Sequence, residues 1–588
     1  MKIRASLFSQ PRALLWLPML LLGVIPLMGS DEYQLSVWTF ILLALIVVLG
    51  LDVLLGFGGQ LSLGHGVFVA IGAYSTALLT TKAGWSGWLA MPSGMAVAAL
   101  LALIVGVPTL RLRGYYLAMA TLGFPVVLDG VLRHASAWTG GSSGVTGVPR
   151  LTFGSFVLKD PSQLYWFIFG VVCVVFFVTE QLVRSRFGLA LKAVHADEAA
   201  ASARGINVAQ TKVFAFMFSA VLASLSGSLY AHYVQFVAPD TFGISYSIML
   251  IVLLVVGGVG RLWGAVLGTV AMMWLPEMLR STSTWEPVVY GVILAIVLLF
   301  APQGIAGLVR RRATIPMALV DRSSSADMAF ALRKDVNIAG PLLAVEGVSK
   351  NFGGVHAVSA LSYQLAPGLV QSIIGPNGAG KSTLLALIAG TLPPSTGEIR
   401  FCGLRIDTLP AHSRARLGIG RTFQHIRLIP GLTVLENVVI GGHAAPSDSD
   451  AQTRLLASAL LDRLGLAGVA DAYPAEINQF QCRLTEIAAA LAGRPCLLLL
   501  DEPGAGLSSV EISQLVELLR SLREGGISVV LVDHVMSLVM ASAQEILVLE
   551  HGMLIAQGAP AEVVRNEHVR AAYLGRSAVP ASQAEQSA

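Results

Sequence analysis

Charge is what this 588-residue chain has least of: 13% of its residues are Asp, Glu, Lys or Arg, about half the fraction usual in soluble domains. An all-soluble protein is excluded on that ground. The shortage is one-sided, because residues 1–309 hold 27 charged side chains and residues 310–588 hold 47 in a shorter stretch. That split implies one membrane domain followed by one soluble domain. Cysteine is scarce as well. Cys173, Cys402, Cys482 and Cys496 have no metal-type spacing and no disulfide framework, which suits a reducing compartment for the soluble half. A net charge of +4 is too small for an electrostatic footprint on nucleic acid, so no nucleic-acid partner is expected.

What is plentiful is apolar sequence. Runs long enough for a bilayer lie at 13–28, 35–55, 62–80, 88–107, 114–132, 164–183, 213–234, 245–260, 262–279 and 288–304, about ten spans in all. Strict alternation puts Lys2, Arg4, Arg12, Arg111, Arg113, Arg184, Arg186, Lys192, Arg204, Lys212 and Arg310–Arg312 on one side and Asp31-Glu32 on the other. The positive-inside rule makes the basic side cytoplasmic, with both ends of the spanning region there. The basic, then apolar, start resembles a signal peptide and is read as a retained first helix. Gly260, Gly264 and Gly268 recur every fourth residue, a spacing that lets helices approach closely. Asp52 and Asp129 are the acids furthest inside expected spans and are pathway candidates, although each sits near a span end.

The stretch from Arg184 to Lys212 is the longest expected cytoplasmic interruption, and Ala196 to Arg204 within it is strongly helix-forming. A short helix there, carrying Asp197 and Glu198 and followed by Gly205, is read as a cytoplasmic docking element for the soluble domain that follows in the same chain. Residues 1–312 are therefore read as a transmembrane domain, 313–341 as a Ser- and Pro-containing linker, 342–576 as the soluble domain and 577–588 as a disordered tail.

The soluble half carries the chemistry. A short apolar strand, Gln371 to Ile374, runs into Gly375-Pro376-Asn377-Gly378-Ala379-Gly380-Lys381-Ser382-Thr383 and then a helical pattern. This is the G-x-x-x-x-G-K-S phosphate loop in its strand–loop–helix setting. Its glycines let backbone N–H groups surround phosphate oxygens, Lys381 reaches the β- and γ-phosphates, and the Ser382 hydroxyl is a Mg²⁺ ligand. Farther on, Cys496-Leu-Leu-Leu-Leu-Asp501-Glu502-Pro503 is a buried strand ending in two carboxylates. Asp501 is expected to hold Mg²⁺ through water and Glu502 to polarise the attacking water. Gln424 is placed to sense Mg²⁺ and the γ-phosphate, and His534 to contact the γ-phosphate from the next strand.

In this order the motifs resemble those of an ATP-binding cassette (ABC) ATPase. The resemblance makes Phe352 the adenine-stacking aromatic, Gln424 the Q-loop residue, Gly506-Leu507-Ser508 part of the D-loop and His534 the switch histidine. The stretches RTFQHIRLIPGLTVLENV (421–438) and LVMASAQEILVLEHGMLIAQGAPAEV (538–563) are closest to the ATPase of branched-chain amino acid uptake systems. Independently, GFGGQLSLGHGVFVAIGAY (56–74), LRLRGYYLAMATL (110–122) and TGGSSGVTGVP (139–149) resemble the permease of those systems. The implied fold is an all-α polytopic membrane domain followed by an α/β P-loop NTPase. The implied activity is ATP-driven import across the bacterial inner membrane, with the ATPase cytoplasmic and ATP and Mg²⁺ as cofactors. By the same resemblance the partners are a second permease, a second ATPase and a periplasmic solute-binding protein, all at a lipid bilayer.

One element departs from the family. Where its signature has Ser followed by Gly-Gly-Gln or a close variant, this chain reads Asn478-Gln479-Phe480-Gln481. Asn478 is still a helix cap, but Gln479 and Phe480 put side chains where glycine permits close approach. Thr485 and Ala489 replace the family's Leu and Arg, Asp533 and Val535 replace Glu and Asp, and Asp52 replaces Asn. Because each signature completes the other subunit's site, an asymmetric ATPase dimer is expected. Three alternatives stand beside amino-acid import: uptake of urea or short amides, an exporter half-molecule, and a regulatory subunit with impaired hydrolysis. The mostly short cytoplasmic loops argue against the exporter, and the intact phosphate-loop and strand-end residues argue against the regulatory subunit.

Overall fold

The computed structural model describes residues 16, 19, 21–24, 31–109, 115–153, 156–278, 286–301, 303–308, 340–445, 447–566 and 568–569. Most of the first expected span, the basic residues at 2, 4, 12, 111, 113 and 310–312, the linker up to residue 339 and the tail lie outside the described residues. The chain divides into two compact units. One comprises residues 1–195 and 209–316, and the other comprises 196–208 and 317–588.

The first unit is helical, and helices occupy nine of the ten expected spans among the described residues: Glu32–Leu51, His65–Thr81, Gly87–Thr109, Tyr115–His134, Pro161–Arg184, Val208–Val234, Ile244–Gly257, Leu262–Met278 and Glu286–Phe300. The first of these continues through a π-helical turn, Asp52–Phe57. Composition explains the state, because in hydrocarbon a helix satisfies its own backbone. Glycine explains the packing of Ile244–Gly257 on Leu262–Met278: a Cβ on Gly257 would strike the Gly264 carbonyl, and one on Gly268 would strike Leu253. Gly260 lies in the turn between these helices with φ +77, so it serves the turn rather than the seam. Asp52 does not reach water. It is fully buried, and its Oδ1 accepts the Gly260 N–H at 2.7 Å.

Two of these helices start part-way along their neighbour. Val208–Val234 has 27 residues, roughly 40 Å, and its twelfth, Ser219, is hydrogen-bonded to His65 Nε2 at 2.7 Å. Nine residues on from Ser219, the Ser228 hydroxyl donates to the carbonyl of Gly72, seven residues on from His65, so His65–Thr81 runs parallel to Val208–Val234 along its second half. Ile244–Gly257 starts at the same level: the Ser247 hydroxyl accepts the Gly66 N–H at 3.0 Å, and a Cβ on Gly66 would lie 2.8 Å from the Phe242 carbonyl. Both helices begin after glycine, Gly64 and Gly243, without a side-chain cap.

The second unit holds ten strands among the described residues, labelled β1 (Leu343–Phe352), β2 (Val355–Leu365), β3 (Val370–Ile374), β4 (Thr396–Phe401), β5 (Leu404–Arg405), β6 (Ile419–Arg421), β7 (Leu497–Asp501), β8 (Ser528–Val532), β9 (Glu545–Glu550) and β10 (Met553–Gly558). Strands β2-β1-β4-β5 form an antiparallel sheet. The other sheet has the order β6-β7-β8-β3-β9-β10 and is parallel except for its last pair. Every residue of β3, β7 and β8 is buried, as expected for central parallel strands covered on both faces. Their C-terminal ends gather the residues that follow them.

Candidate active site

The site begins where β3 leaves the sheet. Gly375, Gly378 and Gly380 have φ of +154, +82 and +95. A Cβ at Gly375 would run into the Leu549 carbonyl and one at Gly380 into that of Ala357, so backbone conformation and space both demand glycine. Asn377 is exposed at the loop tip, Pro376 and Thr383 are half-buried, and the buried Ala379 accepts the Gly552 N–H through its carbonyl at 3.1 Å. Helix Lys381–Ala389 has no side-chain cap, which leaves its first N–H groups and positive dipole end for an anion. Lys381 Nζ folds over the loop, donating to the Gly375 and Pro376 carbonyls at 2.7 and 2.9 Å. Burial lowers its pKa, opposed by the charges of Glu502 and Asp501.

Strand β7 delivers the carboxylates. Asp501 is buried, its Oδ1 lies 3.4 Å from Ser382 Oγ, and Arg421 Nη2 stands 3.7 Å from its other oxygen. Burial raises its pKa, with Arg421 acting in the opposite direction. Glu502 adopts φ +48, a conformation that costs a non-glycine residue about 1–3 kcal/mol and is concentrated at functional sites. Its N–H is held by the Val532 carbonyl at 2.7 Å, its carboxylate accepts from Gln424 Nε2 at 3.0 Å, and His534 Nδ1 lies 3.9 Å away. Lys381, Ser382, Gln424, Asp501, Glu502 and His534 thus converge on one locality. Ser382 and Asp501 are hard oxygen donors beside a phosphate-binding loop, a set that fits a Mg²⁺ ion taking its other ligands from water and phosphate. Phe352 ends β1 and is 47% exposed, with Lys350 Nζ 5.3 Å from its ring centroid.

Sequence reasoning noted Asp533 only as a substitution. The structure gives it a positioning role: it is buried, and it accepts N–H bonds from Gly504 at 2.7 Å, His534 at 2.8 Å and Val535 at 2.9 Å. One carboxylate therefore ties the segment after Glu502 to the turn that carries His534. Its position directly after the apolar run of β8 was the available signal.

The altered signature retains its helix start. Asn478 Oδ1 accepts the Gln481 N–H at 2.8 Å and Gln481 Oε1 accepts the Asn478 N–H at 3.1 Å, a reciprocal capping box. Gln479 is exposed beside Gly506, where a Cβ would sit 3.5 Å from its amide nitrogen. Phe480 is half-buried. On the same helix, Arg483 donates to the carbonyls of Phe423 at 2.7 Å and Gln424 at 3.1 Å, and Glu486 accepts the Arg427 N–H at 3.1 Å. Sequence reasoning missed this brace, which only the fold brings together.

The brace continues into residues 196–208. Asp197 caps the short helix Glu198–Ala203 through the N–H groups of Ala199 and Ala200 and pairs with Arg427 at 2.6 Å. The buried Arg204 donates to the Arg427 carbonyl at 3.0 Å, and Arg416 donates to the Gly205 carbonyl at 2.9 Å. Gly205 has φ +83, and a Cβ there would sit 2.7 Å from Ala444 Cα. Ala200 and Ala203 pack on Phe423, the residue before Gln424. Burial lowers the Arg204 pKa, opposed by Glu486 and Asp197.

Comparison with known proteins agrees with both units. Residues 33–302 match the family model of the branched-chain amino acid transport system permease component. Residues 358–505 match that of the ABC transporter, and 553–579 that of the branched-chain amino acid ATP-binding cassette transporter. The high-affinity branched-chain amino acid transport ATP-binding protein LivG of Escherichia coli is 36% identical over 252 residues, covering 40% of this chain and 99% of LivG. BraF, the corresponding protein of Pseudomonas aeruginosa, is 35% identical with the same coverage. The permease protein LivM of Salmonella typhimurium is 32% identical over 295 residues, 46% of this chain and 69% of LivM. The chain is a membrane protein and an ATP hydrolase coupled to transport, and it belongs to the branched-chain amino acid ABC transporter family as a permease fused to its ATP-binding component.

Proposed function

We propose that this protein imports branched-chain amino acids across the bacterial inner membrane, with its ATPase unit on the cytoplasmic side. The observation that carries this reading is one chain holding both a branched-chain-type permease and a phosphate loop with its strand-end carboxylates assembled. ATP seats its phosphates on the N–H groups of Asn377–Thr383 and on Lys381, and its adenine stacks on Phe352. Ser382, Asp501 and Gln424 would hold Mg²⁺, which supplies charge neutralisation between the β- and γ-phosphates. Glu502 orients and deprotonates the attacking water, held ready by Gln424, and His534 contacts the γ-phosphate.

The Asp197–Gly205 segment transmits closure of the ATPase to the helices, because it rests on Arg427 and Phe423, which flank Gln424 closely in sequence. A second permease, a second ATPase and a periplasmic solute-binding protein complete the assembly. The positive-inside distribution of basic residues supports the orientation, and residues 1–312, 313–341 and 342–576 serve as permease, linker and ATPase.

The test is uptake of labelled L-leucine, L-isoleucine and L-valine by vesicles carrying the full assembly and supplied with ATP. Saturable uptake that disappears with Lys381→Ala is expected. Uptake of urea or acetamide without any of the three amino acids would replace this reading.

A further inference from the structure

The permease unit carries a charged group that the ATPase chemistry does not use. Arg133, in the last turn of Tyr115–His134, donates from Nε to both oxygens of Asp129 at 2.9 and 2.8 Å. Its Nη1 reaches the Ser142 hydroxyl at 3.2 Å, and its Nη2 pairs with Asp240 at 2.5 Å. Asp240 belongs to the segment Pro239–Phe242 that leads into Ile244–Gly257. Three separate stretches of chain thus meet on one guanidinium, and the group carries two negative charges against one positive. It is accessible: the side chains of Arg133, Asp129 and Asp240 are 34%, 42% and 77% exposed.

A second, independent observation points to a ligand. Tyr74 is 4% exposed, yet its hydroxyl has no hydrogen-bond partner among the described residues. Its helix, His65–Thr81, packs against both Tyr115–His134 and Pro239–Phe242, the two segments that carry Asp129, Arg133 and Asp240. A buried hydroxyl left unpaired costs about 1–3 kcal/mol, so an unpaired one on a helix packed against the charged segments calls for a partner. The protein below supplies none. His65 and Gly66, about 13 Å down the same helix, are closed off by Ser62, Ser219 and Ser247. Phe242, two residues from Asp240, is buried edge-on against Tyr230 and Tyr246, which makes that floor apolar. The group therefore stands over a sealed junction of two helix starts, at the Val234 end of Val208–Val234.

We infer that Tyr74, Asp129, Arg133 and Asp240 form a binding site for the zwitterionic head of an amino acid. This rests on the proposed import of amino acids and names how the permease recognises them. The solute carboxylate takes the place of Asp240 at Arg133 Nη2 while Asp129 keeps hold of Nε. The released Asp240, the most exposed of the three, receives the ammonium group, and the Tyr74 hydroxyl donates to the carboxylate. Charges balance in this exchange, because one internal ion pair becomes two pairs with the solute. A neutral amide cannot make the exchange, since it brings no charge to offset the broken pair.

The test is binding of labelled L-isoleucine to the complete transporter in lipid nanodiscs without the solute-binding protein, alongside uptake by the same preparation with it. Wild type is expected to bind saturably, with no competition from acetamide. Tyr74→Phe, Arg133→Gln and Asp240→Asn are each expected to weaken binding about tenfold or more, with Arg133→Lys recovering part of the loss. Tyr74→Phe is the decisive variant, because it removes only a hydroxyl that bonds to nothing among the described residues and so leaves the fold intact. Unchanged isoleucine binding in Tyr74→Phe and Asp240→Asn overturns the site, as does uptake of isoleucine by a wild type that shows no binding. Absence of amino-acid uptake altogether overturns the proposed function instead.

Discussion

At the scale of single residues, the nucleotide site is a set of short-range constraints that meet at strand ends. Glu502 is the clearest case. Its left-handed backbone goes with a carboxylate that meets Gln424 and His534, whereas buried Asp501 meets Ser382 and Arg421, so adjacent acids face different surroundings and we propose different work for each. Removing the charge while keeping the shape isolates that work. Glu502→Gln is expected to lower ATP hydrolysis about a hundredfold or more while nucleotide still binds, because Lys381 and the loop N–H groups are untouched. Steady-state phosphate release together with retention of labelled ATP on the purified assembly reads both effects. A variant that hydrolyses at the wild-type rate removes Glu502 as the base.

At the scale of elements, the helix Gln479–Leu491 braces the Q-loop from one side and residues 196–208 lean on it from the other. Arg427 is the shared member. Its side chain pairs with Asp197, its carbonyl accepts from Arg204, its N–H meets Glu486, and its guanidinium lies 4.7 Å over Phe423. Arg427→Ala keeps the two backbone bonds and loses the two side-chain contacts. The pair is part-exposed, with side chains 39% and 29% accessible, so stability falls by about 1 kcal/mol or less. The larger expected effect is on solute imported per ATP hydrolysed, which drops in Arg427→Ala and is largely kept in Arg427→Lys, which still pairs with Asp197 and leaves its helix cap in place. An unchanged ratio would mean that this contact transmits nothing. The contrast between neighbours shows what sequence makes legible. Asn478 as a cap and the glycines of 375–380 could be read directly, because their demands are met within a few residues. The Arg483 bonds to the Phe423 and Gln424 carbonyls and the Arg133–Asp240 pair could not, because their partners are 60 and 107 residues away. Hydropathy likewise located the runs at 62–80 and 245–260, but it measures composition and not where a helix starts. The breaks after Gly64 and Gly243 depend on what each glycine packs against.

At the scale of the whole molecule, joining permease and ATPase in one polypeptide makes docking of residues 196–208 an intramolecular event. A tether of this kind gives an effective concentration of roughly millimolar, so in the proposed transporter the contacts of residues 196–208 with Arg427, Arg416 and Phe423 need little affinity of their own. The same economy does not extend to the signature, which acts on another subunit. Gln479 and Phe480 occupy the start of Gln479–Leu491, where the family presents small residues to the opposing γ-phosphate. The capping box of Asn478 and Gln481 shows that the helix start itself is preserved. The change is therefore one of approach and not of folding. In the assembly we propose, it falls on the partner's phosphate site, while this chain's Lys381 site meets the partner's signature, and the expectation is two half-sites of unequal quality. Lys381→Ala is expected to abolish import, whereas alanine at the phosphate-loop lysine of the partner ATPase leaves transport within about tenfold of wild type. Uptake rates for the two single variants in one vesicle system decide the matter. Equal and complete loss in both would show that the altered signature supports hydrolysis as well as an ordinary one. Restoring glycine with Gln479→Gly and Phe480→Gly would then leave the hydrolysis rate unchanged, instead of raising it toward that of two working sites.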